Sequence, residues 1–232
     1  MTQHRKELQI GKRLVAEGVG TAMLLTAIVG SGIMGERLAA GNVAIALLAN
    51  SIATGAALFA LILSFGPISG AHFNPAVTIA DAWRRNRWRE ASAYVLVQMV
   101  GAFAGIGIAH LMFGLPPFIA STHVRSGSAQ VFSEFVATFG LLVVICGCKK
   151  FKSLEPLAVA AYIVAAYWFT ASTSFANPAV TLARSVTDTF AGIRPLDTPA
   201  FIIAQLGGAG TATILFCWLN RTDSSDMRSR HE

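Results

Sequence analysis

Charge is scarce in this chain. Of its 232 residues, 13% are Asp, Glu, Lys or Arg and 54% are hydrophobic. Globular proteins carry roughly 25% charged residues. The mean hydropathy is +0.58. A soluble domain needs a polar exterior, so this composition belongs to a chain whose exterior meets lipid. Cysteine is nearly absent as well. Cys146, Cys148 and Cys217 lie in or at the ends of apolar runs, and the first two point different ways on a helix. No zinc-type spacing exists, and His4, His110, His123 and His231 show no ligand spacing, so the reading holds no metal and no cofactor. No nucleophile or acid–base set has mutual spacing, which argues against an enzyme. No small-residue cleavage site follows the first apolar run, so it reads as a retained span rather than a leader. The net charge of +6 does not make a nucleic-acid binder, because the basic residues form short clusters between apolar runs.

Long apolar runs are what the chain has in abundance. A bilayer crossing needs about 20 residues. Six runs approach that length: Leu14–Ile33, Val43–Phe65, Ala91–Phe113, Gln130–Gly147, Leu157–Thr173 and Ala200–Leu219, the fifth with the least definite ends. With six spans, one side holds both termini and the connections after spans 2 and 4. That side collects fourteen Lys and Arg: Arg5, Lys6, Lys12, Arg13, Arg84, Arg85, Arg87, Arg89, Lys149, Lys150, Lys152, Arg221, Arg228 and Arg230. The other side has four: Arg37, Arg125, Arg184 and Arg194. Positive charge stays inside, so both termini are expected in the cytoplasm of a multi-pass cell (inner) membrane protein. The Arg84–Arg89 run with Trp83 and Trp88 reads as an interfacial anchor on an anionic leaflet.

The chain also repeats itself. Glu17-x-x-x-Thr21 is echoed by Glu134-x-x-x-Thr138, Asn74-Pro-Ala-Val-Thr by Asn177-Pro-Ala-Val-Thr, and Gln98-Met-Val-Gly-Ala by Gln205-Leu-Gly-Gly-Ala. The order is the same in both halves. Each unit holds three spans, so the second enters the membrane from the opposite side. The expected fold is all-α: six transmembrane helices plus two re-entrant half-helices in an inverted repeat. Residues 1–232 form one domain, with repeat 1 at about 10–114 and repeat 2 at about 128–220, between short cytoplasmic termini.

Asn-Pro-Ala reads as a helix start. Asn74 and Asn177 are preferred N-caps, Pro75 and Pro178 suit the first helical position, and Ala76 and Ala179 continue it. About nine residues make a half-helix of ~13 Å, and two end to end give ~27 Å, close to the hydrocarbon thickness. Inverted symmetry lets both caps meet at the midplane. Irregular backbone at that depth must be buried or line a wet cavity. Two helix N-termini there disfavour cations. Each asparagine oxygen caps its own helix, and the two NH₂ groups are expected free to donate into the lumen. A passing solute must accept such bonds and be neutral or nearly so.

Ser69-Gly-Ala-His-Phe-Asn-Pro-Ala-Val-Thr, the second Asn-Pro-Ala and the paired glutamates resemble the aquaporin, or major intrinsic protein, family over about residues 10–220. The resemblance implies a water or small-solute channel in each monomer and a homotetramer in the lipid bilayer. It places the narrowest constriction at Thr54, Ala165, Ser174 and Val180, and His72 in the cytoplasmic half of the pore. Most members carry arginine where Val180 stands. Arg184 follows one turn later and is expected in the outer vestibule, with a reach back to the mouth as the alternative. Small residues and a missing guanidinium imply a wide filter for water, glycerol, urea and undissociated hydroxy-acids such as arsenous acid. The Asn-Pro-Ala-Val-Thr-Leu-Ala-Arg stretch resembles a bacterial aquaglyceroporin-like branch associated with arsenic.

Glu17 and Glu134 are carboxyls inside apolar spans, hence costly. They are expected to accept N–H bonds from the loops that enter the half-helices, with a proton relay or a metal pair as the alternative. Gln98 and Gln205 are expected to bond loops or neighbouring helices, and Gly101, Gly105, Gly207 and Gly208 to let helices approach. Two rival functions remain. A strict water channel would need a narrower filter. An ion-coupled transporter would need ionisable groups at the midplane, where this chain offers asparagines.

Overall fold

The computed structural model of the protein describes residues 3–148 and 151–220. Lys149, Lys150, Arg221, Arg228 and Arg230, part of the orientation count, lie outside the described residues. Every regular element among the described residues is helical. The eight helices are α1 (Gln3–Leu38), α2 (Val43–Ser69), α3 (Pro75–Arg85), α4 (Trp88–Met112), α5 (Ser128–Gly147), α6 (Glu155–Phe169), α7 (Pro178–Ala183) and α8 (Thr198–Leu219). Lipid leaves a helix as the open-chain way to pair every backbone N–H, which is why the apolar runs take this form. Among the described residues five helices are long and apolar enough to cross a membrane, and α6 is shorter, at 15 residues. The loose ends of the fifth apolar run have a cause: α6 stops at Phe169, and Thr170–Ala176 turn back toward α7.

Local chemistry sets the boundaries. Asn42 starts α2 by accepting the N–H groups of Ala44 and Ile45. Gly70 ends it in the left-handed region at φ 95°. Asn74 and Asn177 start the two half-helices in near-identical extended conformations, φ −153° and −157°, each followed by proline. The half-helices differ in length. α3 has 11 residues, whereas α7 has six and passes into a 3₁₀ turn over Arg184–Val186.

Packing follows the repeat. α1 packs on α2 and α4, as α5 packs on α6 and α8, while α2 meets α6 across the pseudo-axis. Each half-helix touches the last helix of both repeats: α3 contacts α4 and α8, and α7 contacts α8 and α4. Small residues make the closest crossings. A Cβ on Gly101 would collide with the carbonyl of Gly18, and one on Gly208 with the backbone of Phe135 and Phe139. Gly207, by contrast, is exposed beside the Phe135 ring.

These crossings reverse the usual sign of a glycine substitution. In an open helix, glycine to alanine stabilises by up to about 1 kcal/mol. Gly11→Ala, with nothing within reach of the new methyl, should leave or raise the melting temperature in detergent. Gly208→Ala should lower it, by about 1–3 kcal/mol of overpacking. Equal melting curves would mean that α5 and α8 do not cross at Gly208.

Candidate functional site

The two Asn-Pro-Ala motifs meet, and they bond to each other. Asn74 Oδ1 accepts the N–H of Ala76 at 2.9 Å, and Asn177 Oδ1 accepts that of Ala179 at 3.0 Å. The amide nitrogens are not free, contrary to expectation. Asn74 Nδ2 donates to Ala176 O at 2.7 Å, and Asn177 Nδ2 donates to Phe73 O at 2.8 Å. Each motif therefore satisfies the carbonyl just before the other. An NH₂ group has two hydrogens, so one per asparagine remains for the lumen. Pro75, Ala76, Pro178 and Ala179 are buried behind the asparagines and do not line the lumen.

The loops that deliver these carbonyls are strained in the same pattern. Ala71 and Phe73 have φ 49°, and Ser174 and Ala176 have φ 51° and 48°. These are the third and first positions before each asparagine. A left-handed non-glycine residue costs about 1–2 kcal/mol. The buried glutamates hold them in place. Glu17 accepts the N–H groups of His72 (2.9 Å) and Phe73 (2.8 Å), and Glu134 those of Phe175 (2.8 Å) and Ala176 (2.9 Å). Gln98 donates to Glu17 and Thr78, and Gln205 donates to Glu134 and Thr181. Hydrogen bonds to a charged group contribute about 1.5–3 kcal/mol each. That is enough to outweigh the strain.

A cavity of about 720 Å³ runs past the meeting point. One end carries Asp81, Arg84, Arg85, Lys152 and Glu155, and the other ends at Tyr167, Val180 and Arg184. Asn74 and Asn177 line its middle, and His72 lies on the side of the basic end, with Nδ1 3.1 Å from Thr78 Oγ1. Much of the wall between is aliphatic, including Leu24, Ile28, Leu58 and Ile163.

Three of the four constriction residues expected from spacing line this cavity: Thr54, Ser174 and Val180. Ala165 does not; it is exposed on the outside of α6. Counting back from Asn177 presumes a connection of fixed length. The lumen stripe of α6 is instead Val159, Ile163 and Tyr167, at four-residue intervals, and Ala165 lies about 200° round the helix from Ile163. Tyr167 donates to Thr54 Oγ1 at 3.3 Å.

Arg184 is the larger departure. Its side chain is fully buried and lines the cavity rather than the outer vestibule. The change from α-helix to 3₁₀ turn at this residue sets its direction. Its Nε donates to Ala191 O, and its guanidinium carbon sits 3.4 Å from the centre of the Phe175 ring. Val180 therefore does not leave that end of the cavity without a cation, and Tyr167, Phe175 and Arg184 supply the bulk absent from the expected set. Asp188 lies beyond the 3₁₀ turn and accepts from Thr122 N (2.8 Å) and Thr122 Oγ1 (3.0 Å), tying two surface loops. That Thr122 N–H holds its carboxyl below the usual range. Sequence reasoning missed Tyr167 and Phe175. The 159/163/167 apolar stripe could have pointed to Tyr167.

Proteins similar to this chain are named aquaporins and aquaglyceroporins. A family model described as Major intrinsic protein matches residues 4–155. The aquaglyceroporin AqpS of Rhizobium meliloti (strain 1021) is 54% identical over 216 residues, covering 92% of this chain and 92% of that protein. Aquaporin NIP1-1 of Oryza sativa subsp. japonica is 36% identical over 160 residues, 66% of this chain and 55% of that one. The X-ray structure of the aquaglyceroporin from Plasmodium falciparum shares the fold. Its TM-score is 0.67 at 18% identity, over 89% of this chain and 95% of that one.

The buried carboxylates give this site its sharpest stability test. Glu134→Ala strands the N–H groups of Phe175 and Ala176 and the Gln205 amide. At about 1–3 kcal/mol for each unpaired buried donor, the loss should be about 3 kcal/mol or more, read as a lower melting temperature in detergent. Glu134→Gln keeps one acceptor oxygen and should fall between. A Glu134→Ala protein that melts with wild type would show that the loop is held by something else.

Proposed function

We propose a passive pore for small neutral hydroxylated solutes and water as the function of this chain, which belongs to the major intrinsic protein family. It is a multi-pass membrane protein and a channel for water and small solutes. The finer reading concerns which solutes pass and what selects them. The observation that carries it is the amphipathic end of the cavity. There Arg184, Tyr167 and Thr54 line a lumen otherwise walled by Val180, Ile28 and other aliphatic side chains. A solute that presents hydroxyls on one side and carbon on the other fits such a wall. Glycerol and urea are in this class by size and polarity. Undissociated arsenous acid, a neutral trihydroxy acid, is a third candidate, and the similarity to a protein named an aquaglyceroporin supports the class.

In this reading Thr54, Tyr167, Ser174, Val180 and Arg184 form the filter, and Asn74 and Asn177 pass solutes through the midplane. A guanidinium in a low-dielectric mouth repels cations and offers donors to passing oxygens. The basic clusters beside Trp83 and Trp88 support an orientation with Arg84 and Lys152 at the cytoplasmic mouth, both termini inside and the chain in the inner membrane. Large exposed apolar side chains such as Leu96, Val100 and Ile203 suit lipid contact and a homotetramer. Among the described residues the carboxylates nearest the midplane asparagines, Glu17 and Glu134, do not line the cavity and are engaged by backbone N–H groups, so the transporter reading has no support there. A strict water channel is the second reading, favoured by the bulk of Tyr167, Phe175 and Arg184.

Stopped-flow swelling of proteoliposomes on inward gradients of glycerol, urea and arsenous acid, with shrinkage in sucrose for water, separates the two. Wild type should pass glycerol and urea. Arg184→Met should lower the water-to-glycerol permeability ratio about threefold or more, a change of roughly 0.7 kcal/mol in relative barrier. Water flux alone in wild type would favour the strict water channel, and an unchanged ratio in Arg184→Met would remove Arg184 from the filter.

A further inference from the structure

A second arginine stands behind the first. Arg125 lies in the segment between α4 and α5 and does not line the cavity. Its Nε donates to Gly192 O at 2.8 Å and its Nη1 to Ser172 O at 3.2 Å. Longer contacts reach Thr173 Oγ1 (3.4 Å) and Phe190 O (3.5 Å). Its backbone N–H is held by Asp197 Oδ2 at 2.9 Å. Asp197 itself pairs with Arg194, so the Arg125 guanidinium meets carbonyl and hydroxyl oxygens among the described residues rather than a carboxylate.

The targets of these bonds are specific. Arg184 is anchored at Ala191 O, and Arg125 binds the carbonyls on either side, Phe190 O and Gly192 O. Arg184 lies over the Phe175 ring, and Arg125 binds residues 172 and 173 just upstream of it. Arg125 also lies 5.0 Å from the centre of that same ring. One fork thus grips both segments that position the other guanidinium. Gly192 has no room to give: a Cβ there would collide with Ser121 Oγ and Thr187 O.

We propose that Arg125 is a positioning residue for selectivity, holding the Arg184 guanidinium against the lumen without touching the solute. The proposal rests on the reading of Arg184 as part of the filter. A planar fork spreads five donors across two segments in fixed geometry, whereas the three donors of a lysine ammonium sit at one point and cannot span both. The grip should therefore be lost even when the charge is kept.

The test is the water-to-glycerol permeability ratio in proteoliposomes for Arg125→Met, Arg125→Lys, Arg184→Met and the double variant Arg125→Met/Arg184→Met. A ratio does not depend on how much channel is inserted, so a merely structural role would leave it fixed while both fluxes fall. Both Arg125 variants are expected to lower the ratio about twofold or more, the low end of coupling between groups in one network. The double variant is expected to match Arg184→Met alone. Should Arg125→Met fail to insert, Arg125→Lys carries the test. If Arg184→Met moves the ratio and the Arg125 variants do not, or if the double variant is additive, the positioning role is overturned. If Arg184→Met leaves the ratio unchanged, the filter reading itself has failed.

Discussion

Two hydrogen bonds from side-chain amides hold the centre of this protein together. Asn74 donates to the carbonyl before Asn177, and Asn177 to the carbonyl before Asn74. Each asparagine also caps its own half-helix. The pair therefore fixes three things at once: where each half-helix begins, how far apart the two tips lie, and which backbone oxygens remain for the lumen. In a low-dielectric interior an unmade bond of this kind is costly. The half-helices cannot separate without orphaning two carbonyls and two amides together.

The rest of the scaffold serves that meeting. Carbonyls of Phe73 and Ala176 can face the opposite asparagine because their residues sit in the left-handed region. Non-glycine residues stay there only when their surroundings over-determine them. Glu17 and Glu134 supply that determination, each with a glutamine from the last helix of its own repeat. Helices α4 and α8 can bring those glutamines close because Gly101 and Gly208 let them lie against α1 and α5. Buried carboxylates in a membrane helix are thus explained by backbone, with neither a relay nor a metal invoked.

Much of this was legible in the sequence, and the reason is that it is repeated. The spans, the inverted halves, the half-helix starts at Asn74 and Asn177 and the Glu–Gln pairs each appear twice in the same order. What escaped was what the repeat does not contain. Cross-bonding of the asparagine amides joins residues a hundred positions apart and leaves no local mark. Ala165 was expected in the lumen because a spacing was carried across the irregular Thr170–Ala176 connection, and Tyr167 lines the cavity instead. Arg184 depends on a short helix turning into a 3₁₀ turn, which its partner α3 does not do. Arg125 binds backbone carbonyls, a type of partner that no sequence motif announces.

Arg184 in the lumen, although valine follows the second motif, is the feature on which the proposed selectivity of this channel turns. Its most direct test is accessibility from within the pore. Arg184→Cys and Ala165→Cys would be made with Cys146, Cys148 and Cys217 replaced by serine, and a charged methanethiosulfonate reagent applied to reconstituted vesicles. Glycerol flux through Arg184→Cys should be blocked and flux through Ala165→Cys should be unaffected. Block at Ala165→Cys with Arg184→Cys left open would contradict this placement of Arg184, and would return the filter to the positions counted from the asparagines.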